Sequence, residues 1–422
     1  MSYPESVEYL YALGNELKAG AKFGLDRMRA LLDGLGNPER NLNIIHVAGT
    51  NGKGSTCAMI AAACRAARLR TGLFTSPHLV KPTERIAFDN EPVSEDRFAE
   101  LFEMVHRKAE QLAGEGKIDD HPTYFETVTA MALIAFCDNT DVVVLEVGLG
   151  GRLDATNVVM PRLTVITPIH YDHEAFLGNT IASIASEKAG ILKPGIPLVM
   201  AAQMPEAEQT ILKRAEELNC PVMKATDHDI EAVDLTPYGS TFHFLGNNFS
   251  CNLPGGHQVQ NAATAILACR EFGLPMEAIH KGVASARWPG RMEYVSCRPD
   301  FILDGAHNPA GAQSLASYIQ QFCSNRPVWL VYGAMRDKAI EEVTAQLFPL
   351  ASKLILTAPN FPRALRPEAI LEITDHPNAI TAADVPAAIE LARQAPPDAA
   401  VFFTGSLFLV GEARAILVPP AA

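Results

Sequence analysis

The sequence predicts an α/β fold: a parallel sheet with helices on both faces, a small accessory antiparallel sheet, and a smaller Rossmann-like α/β domain at the C-terminal end. Three observations predict it. Short apolar runs alternate with helical patterns in the first half, the pattern changes near residues 225–252, and a second alternating series follows residue 290. A chain of 422 residues has room for two such domains.

The strands of the first series are near-continuous Val, Ile and Leu runs, the pattern of strands that are covered on both faces. Longer stretches with helical periodicity separate them, which favours parallel pairing. The predicted strands are 44–48, 71–75, 141–147, 163–167 and 197–201, and the predicted helices include 55–68, 95–113 and 125–137.

After residue 225 the segments become shorter and more polar, which indicates antiparallel strands at 240–245 and 248–253. A helix is predicted at 260–272, after a Pro-Gly-Gly loop. A Trp-Pro-Gly break at 288–290 then precedes the second series, with strands at 300–303, 327–332, 352–357 and 399–404. We therefore place the first domain at residues 1–290 and the second at 291–422.

The composition excludes several classes of function. A net charge of −13 disfavours a nucleic-acid-binding protein or one that binds anionic membranes. The eight cysteines contain no CxxC pair, so we expect mostly buried free thiols rather than a zinc ribbon or a disulfide framework. The N-terminus has acidic residues and no apolar core segment, and no run of 18 apolar residues exists, so a cytoplasmic protein is expected.

A glycine-rich turn follows the first predicted strand and leads into a helix. Its backbone N–H groups and the helix dipole suit a phosphate group, Lys53 can reach β- or γ-phosphates, and Ser55 or Thr56 can face Mg²⁺. A ligand-free turn between a strand and a helix is the alternative. The turn reads Gly49-Thr50-Asn51-Gly52-Lys53-Gly54-Ser55, with an extra glycine between the lysine and the hydroxyl residue.

This loop resembles the phosphate loop of Mur-type ATP-dependent amide ligases. The whole chain resembles the folylpolyglutamate synthases, which are often bifunctional with dihydrofolate synthase activity, from Gly24-Leu25-Asp26-Arg27 to Thr404-Gly405-Ser406. The resemblance implies a phosphate-loop ATPase domain followed by a glutamate ligase domain, with ATP and two Mg²⁺ ions as cofactors. It also implies L-glutamate and either tetrahydrofolate or dihydropteroate as substrates, and a monomer.

A metal site is expected at the carboxyl end of the parallel strands. Glu146 ends the apolar run 141–147, where a carboxylate can meet Mg²⁺ beside bound phosphates. The resemblance implies that Ser76 also belongs to this site, that His173 is a ligand of a second metal ion, and that Lys188 is carbamylated. From the residues alone Lys188 reads as a solvent-exposed helical lysine, and His170 is interpreted as a non-ligand.

Four further residues are implied to bind the nucleotide or act beside it. Asn261 suits a helix N-cap, whereas the resemblance implies that it contacts the nucleotide. Arg291 resembles an arginine that meets ATP phosphates. Asp304 and His307 follow a strand, where α/β folds place sites, and are implied to contact ATP; an Asx turn before Pro309 is the alternative.

The folate-binding residues are implied by two stretches that resemble the pterin-binding surfaces of bifunctional enzymes. Ordinary helix packing is the alternative for both. A third stretch, residues 21–23, occupies the corresponding place before Gly24 with different residue types. The two stretches are Thr123-Tyr124-Phe125-Glu126 and Leu153-Asp154-Ala155.

The implied reaction is amide formation through an acyl phosphate, with Lys53, Lys188 and His307 as catalytic residues. The sequence leaves open whether the enzyme has both ligase activities or only polyglutamylation. The stretch 150–157 resembles bifunctional enzymes, whereas the loop lengths resemble enzymes that only extend polyglutamate. Peptidoglycan-type and cyanophycin-type ligases are disfavoured, because only 48 residues precede Gly49. A phosphate-loop regulatory module is the alternative from another class.

Overall fold

The computed structural model describes residues 1–13, 24–137, 139–336 and 339–418, so the stretch 21–23 lies outside the described residues. The chain forms two compact units that alternate along the sequence. Unit 1 comprises Met1–Ile169, Glu174–Ile230 and Gln260–Ala286, and unit 2 comprises His170–His173, Glu231–Val259 and Arg287–Ala422. The predicted domain division at residue 290 stays a prediction.

Unit 1 is built on an eight-stranded sheet in the order β4-β3-β2-β5-β1-β6-β7-β8. Its strands are β1 Ile44–Ala48, β2 Thr71–Phe74, β3 Ile86–Phe88, β4 Glu91–Pro92, β5 Val142–Glu146, β6 Leu163–Ile166, β7 Leu198–Ala201 and β8 Val222–Ala225.

The helices before residue 290 include long amphipathic ones and short connecting ones. They are α1 Tyr3–Ala12, α2 Asp26–Gly34, α3 Lys53–Ala66, α4 Glu95–Gly114, α5 Tyr124–Phe136, α6 Glu174–Leu177, α7 Ile181–Ala189, α8 Pro205–Glu217, α9 Gly256–Phe272 and α10 Met276–Ser285.

Six neighbouring strands of this sheet, β2, β5, β1, β6, β7 and β8, are parallel, as predicted. Strands β3 and β4 add an antiparallel edge that the sequence did not indicate. Strand β1 is central. Its five residues are all buried, with Val47 opposite Glu146 on β5 and opposite Val165 on β6. The phosphate-loop turn therefore leaves the middle of the sheet at its carboxyl edge, where ligands bind in such folds.

The accessory sheet has three strands in the order β11-β10-β9: β9 Ile230–Thr236, β10 Gly239–Phe244 and β11 Asn247–Cys251. Strands β10 and β11 pair antiparallel, and Phe242 lies opposite Phe249 with both side chains buried. The predicted antiparallel strands are thus confirmed, with each boundary shifted by one or two residues.

Unit 2 contains a six-stranded sheet in the order β12-β13-β17-β14-β15-β16, parallel except for β12. The predicted fold class is confirmed. Its strands are β12 Glu293–Ser296, β13 Asp300–Leu303, β14 Val328–Tyr332, β15 Lys353–Leu356, β16 Ala379–Thr381 and β17 Ala400–Thr404, and its helices are α11 Pro309–Phe322, α12 Ile340–Leu347, α13 Pro367–Leu371, α14 Val385–Ala392 and α15 Leu407–Leu417.

All eight cysteines are free thiols, and six of them are buried, as expected. Burial raises the pKa of the Cys64 thiol to about 12, so it stays protonated near neutrality. Among the described residues, no helix combines the length and the apolar character that a membrane span requires.

Candidate active site

The phosphate loop is a strand–turn–helix unit whose glycines are sterically required. Gly49 and Gly52 have φ values of 147° and 80°, a backbone region that glycine adopts most readily. A Cβ on Gly49 would overlap the Thr167 hydroxyl, and one on Gly52 would overlap the Asn261 side-chain oxygen. The chain therefore closes tightly and turns backbone N–H groups at the start of α3 toward a ligand.

Lys53 is the first residue of α3, and its ammonium group folds back over the turn. Its Nζ donates hydrogen bonds to the carbonyl oxygens of Gly49 (3.2 Å) and Thr50 (3.3 Å). Gly54 and Ser55 follow in the first helical turn, and Ser55 is buried. Lys53 thus sits where it can exchange carbonyl partners for phosphate oxygens.

The segment after β6 forms hydrogen bonds with the phosphate loop. The carbonyl oxygen of Pro168 accepts hydrogen bonds from the N–H groups of Thr50 (3.0 Å) and Asn51 (3.2 Å). The Gln203 side chain holds the segment in turn, because its amide donates to the Thr167 carbonyl and accepts from the Ile169 N–H, each at 3.0 Å. Sequence reasoning missed Gln203, although its place just after β7 put it at the same sheet edge.

Lys188 lies in the last turn of α7 and is 4% exposed, so the alternative interpretation of a solvent-exposed lysine is wrong. Its Nζ donates to the Gly49 carbonyl oxygen at 2.8 Å. The burial follows from a close approach of the loop after β5: a Cβ on Gly151 would lie 2.7 Å from the Glu187 carbonyl and 2.9 Å from that of Lys188. The glycine pair 150–151 thus lets the loop press against α7.

Glu146 ends β5 and is 3% exposed, at the carboxyl edge of the sheet as predicted from its position. Its Oε2 accepts a hydrogen bond from the Ser76 N–H at 3.2 Å. Ser76 is half-buried in the loop after β2. The structure therefore brings two of the predicted metal-site residues into direct contact.

The side chains around this position fit Mg²⁺, which prefers carboxylate and hydroxyl oxygens. Glu146 supplies a buried carboxylate and Ser76 a hydroxyl. The Thr56 hydroxyl, in the first turns of α3, is buried and makes no hydrogen bond within the described part of the chain. An unsatisfied buried hydroxyl beside a phosphate loop is a group that an ion or a ligand-bound water can satisfy.

Asn261 lies inside α9 and not at its start, because the helix begins at Gly256. The interpretation of Asn261 as an N-cap is therefore wrong. The side chain is 4% exposed and its oxygen faces the Cα of Gly52. It packs against the phosphate loop, where a nucleotide-contacting residue was expected.

In unit 2, Asp304 follows β13 and is held by backbone donors on both sides. Its carboxylate accepts hydrogen bonds from the N–H groups of Met292 and Ala306, each at 3.0 Å. Burial raises the pKa of Asp304, and the nearby Arg291 guanidinium opposes that rise. Arg291 also donates to the Gly290 carbonyl at 3.1 Å, so Asp304 organises the segment that carries Arg291.

His307 lies near Asp172, a residue to which sequence reasoning gave no role. Asp172 Oδ2 is 3.8 Å from His307 Nε2 and accepts a hydrogen bond from Asn308 at 3.2 Å, and its Oδ1 is 3.8 Å from His173 Nε2. His307 Nδ1 is 2.7 Å from the Gly305 carbonyl, which can only accept, so Nδ1 carries the proton. Asn308 also N-caps α11 through Gly311, an Asx-type structural role.

The start of α5 carries the first predicted folate stretch. Thr123 and Glu126 form a capping box with N···O distances of 3.2 and 2.8 Å, and Glu126 also pairs with Arg27 at 2.8 Å. Tyr124 stacks on Tyr11 with ring centroids 5.9 Å apart. Much of the polar capacity of this stretch is thus used within the protein.

Phe125 is buried against Phe74, with ring centroids 5.9 Å apart, and against Gly148, where any Cβ would overlap its ring. This contact brings the start of α5 next to the loop that follows β5, which carries the second predicted stretch. The two stretches therefore belong to one region of unit 1.

Asp154 is buried in the second stretch, between Leu153, which is partly buried, and Ala155, which is buried. Its carboxylate accepts hydrogen bonds from the Leu149 N–H at 2.8 Å and from the N–H and hydroxyl of Thr156 at 3.0 and 2.5 Å. Asp154 therefore stabilises the conformation of the loop that follows β5.

Comparisons with known proteins agree on one group of enzymes. Residues 47–269 match the Mur ligase middle domain, and residues 290–407 match the Mur ligase glutamate ligase domain. A Bacillus subtilis dihydrofolate synthase/folylpolyglutamate synthase is 37% identical, over 94% of this chain and 96% of its own length.

Two solved structures share the fold over nearly the whole chain. A Mycobacterium tuberculosis folylpolyglutamate synthase complexed with ADP has a TM-score of 0.91 and 32% identity, with full coverage of both chains. An E. coli FolC in complex with DHPP and ADP has a TM-score of 0.86 and 31% identity, and covers 98% of this chain and 97% of its own.

Proposed function

This chain belongs to the Mur ligase family, within its folylpolyglutamate and dihydrofolate synthases, and we propose that it adds L-glutamate to folates in an ATP-dependent reaction. It is accordingly an amide-forming ligase. The observation that carries the proposal is the phosphate loop, with Lys53 over the turn and Lys188 beneath Gly49. We propose tetrahydrofolate and dihydropteroate as the two acceptors, because relatives that span nearly the whole chain are named for both activities.

In the proposed reaction, a carboxylate of the acceptor attacks the γ-phosphorus of ATP, and ADP leaves. The amine of L-glutamate then attacks the acyl phosphate, phosphate leaves and the amide forms. The N–H groups at the start of α3 and the Lys53 ammonium hold the phosphate oxygens and offset their charge. The same turn orients the γ-phosphate toward the acceptor carboxylate.

We propose that Ser76, Glu146 and Lys188 hold Mg²⁺ in unit 1. The ion, when bound, supplies charge neutralisation at the phosphates. A carbamate on Lys188 keeps one N–H on Nζ for the hydrogen bond to Gly49 and adds an anionic oxygen donor. The roles of His173 in holding a second ion and of His307 in the reaction stay predictions.

Asn261 is proposed to contact the nucleotide from its place against Gly52, and Arg291 and Asp304 keep their predicted nucleotide role. The folate acceptor is proposed to lie near the start of α5 and the 153–155 loop. The monomeric state stays a prediction.

Release of ADP tests the proposal. Purified protein is supplied with Mg·ATP and L-glutamate, with dihydropteroate in one series and tetrahydrofolate in the other. Glutamate-dependent release with both acceptors supports both activities. If ADP is released with tetrahydrofolate but not with dihydropteroate, the enzyme catalyses polyglutamylation alone. ADP release that does not depend on glutamate or on the acceptor would contradict the ligase activity. Lys53→Met should abolish the release, and Lys213→Met, at an exposed lysine of α8, should not.

A further inference from the structure

Two histidines and one glutamate of unit 1 form a cluster that the proposed reaction does not use. His106 and Glu110 lie on successive turns of α4, and His121 comes from the segment between α4 and α5. One ligand atom of each side chain lies within 4.8 Å of the other two. The i, i+4 spacing of a histidine and a glutamate was the only signal in the sequence.

Two ring nitrogens in the cluster are buried and make no hydrogen bond with the described residues: His106 Nδ1 and His121 Nε2. His121 Nδ1 lies 3.2 Å from the Pro122 carbonyl oxygen, which can only accept. Nδ1 therefore carries a proton, and the other ring nitrogen, Nε2, faces Glu110 Oε1 at a distance of 3.4 Å. A cation between Nε2 and the carboxylate would satisfy both groups.

A proton on His121 Nε2 would satisfy that pair but would leave His106 Nδ1 without a partner. A metal ion held by the three side chains would satisfy the His121–Glu110 pair and would also take one ring nitrogen of His106. The contact of His121 Nδ1 with a backbone carbonyl is also the usual second contact of a metal-binding histidine, since it fixes the tautomer.

Aromatic packing holds the histidine rings in place. The Tyr9 ring lies 4.7 Å from His106 and 5.9 Å from His121, and Phe102 stacks on His106 at 5.5 Å. Glu110, by contrast, has a side chain that is 58% exposed and free to adjust.

We propose that His106, Glu110 and His121 bind one divalent transition-metal ion of the zinc class. Two imidazole nitrogens and one carboxylate oxygen form a ligand set suited to zinc, with a fourth position open to water. Tetrahedral bonds of about 2.0 Å place the ligand atoms roughly 3.3 Å apart. The three ligand atoms lie within 4.8 Å of one another, so small side-chain rotations close the site. The bound ion ties the segment before α5 to α4.

The probe is Zn²⁺ itself, titrated into chelator-treated, full-length protein in competition with a chromogenic chelator. Excess Mg²⁺ is present throughout to occupy oxygen-rich sites. We expect one equivalent of Zn²⁺ to bind and to raise the melting temperature. Failure of Zn²⁺ to compete with the chelator overturns the proposal.

Glu110→Gln is the decisive variant, because the Glu110 side chain is exposed and its replacement by glutamine leaves the packed core unchanged. It should weaken Zn²⁺ binding 10–100-fold, as should His121→Asn. Glu100→Gln, at an exposed glutamate on the same helix, should bind like the wild type. Unchanged affinity in Glu110→Gln and His121→Asn would place the ion elsewhere and overturn the assignment.

Discussion

Lys188 Nζ donates a buried hydrogen bond to the Gly49 carbonyl oxygen over 2.8 Å, across 139 residues of sequence. The contact joins the last turn of α7 to the first residue of the phosphate loop. An amine so close to the loop, and shielded from water, can act on the bound nucleotide or its ion. It also gives the Gly49 carbonyl a shorter hydrogen bond than the one from Lys53 Nζ, which is 3.2 Å long.

Lys188→Met tests this contact. We expect kcat to fall about 100-fold or more, because the variant loses both the hydrogen bond and any carbamate. The free energy of unfolding should fall by about 1–3 kcal/mol, since a buried hydrogen bond to the Gly49 carbonyl is lost. Steady-state kinetics and urea denaturation measure the two effects, with Lys213→Met as control.

The carbamate makes a separate prediction. Removal of dissolved CO₂ from the wild-type enzyme should lower kcat, and added bicarbonate should restore it. An enzyme that is indifferent to bicarbonate would leave Lys188 with its hydrogen-bonding role alone.

Gly52→Ala should impair ATP binding. The new Cβ meets the Asn261 side chain and strains a residue at φ 80°, at a backbone cost of about 1–2 kcal/mol. We expect the KM for ATP to rise about tenfold or more. Gly116→Ala is the matched control, because Gly116 has φ 67° with open space around it. It should lose stability but keep its KM; equal KM values for both variants would argue against the role of the loop.

The Arg27–Glu126 pair predicts a structural defect. Glu126→Gln should lower the free energy of unfolding by about 2 kcal/mol, because it weakens a capping box and a largely buried ion pair. A double-mutant cycle with Arg27→Met, measured by chemical denaturation, should show positive coupling. If stability stays unchanged while the KM for the folate rises, Glu126 contacts substrate directly.

His46 predicts a pH dependence of stability. It is fully buried on β1, 2.9 Å from the Thr156 hydroxyl, and burial lowers its pKa to about 3. The unfolded chain takes up this proton near pH 6.5, so His46 favours folding above that pH and loses stability as pH falls from 6.5 toward 3.

His46→Gln removes this dependence. Relative to the variant, the wild type should lose about 2 kcal/mol of stability between pH 7 and pH 5. Urea denaturation at both pH values measures the difference, and His228→Asn, at an exposed histidine, is the control. A wild-type and a His46→Gln protein with parallel pH profiles would contradict the assignment.

Local patterns predicted the central parts of the fold. The apolar run 44–48 became β1 without any shift, because a strand covered on both faces has a distinctive composition. Short edge strands such as β4 and β16 were not predicted, because two or three residues are too few to show an alternating or continuous apolar pattern. The start of α9 was placed four residues late because Pro-Gly-Gly suggests a loop, although its last glycine is already helical.

The contacts of the candidate active site were harder to predict from the sequence than the fold. From sequence, Lys188 reads as an exposed helical lysine because its burial depends on Gly150 and Gly151, which lie 38 and 37 residues earlier in the chain, and not on its own helix. Asp172 and Gln203 gave no signal beyond their places near strand ends. Contacts set by distant segments cannot be inferred from local spacing.

The acyl-phosphate mechanism is tested most directly by tracing the carboxylate oxygen of the acceptor. Dihydropteroate labelled with ¹⁸O in its carboxylate is turned over with Mg·ATP and L-glutamate, and the released phosphate is analysed by mass spectrometry. An acyl phosphate predicts one ¹⁸O atom in each phosphate formed, because the carboxylate oxygen that attacks ATP leaves with the phosphoryl group. Amide product with unlabelled phosphate would contradict the mechanism, and the absence of amide product with either folate acceptor would contradict the ligase itself.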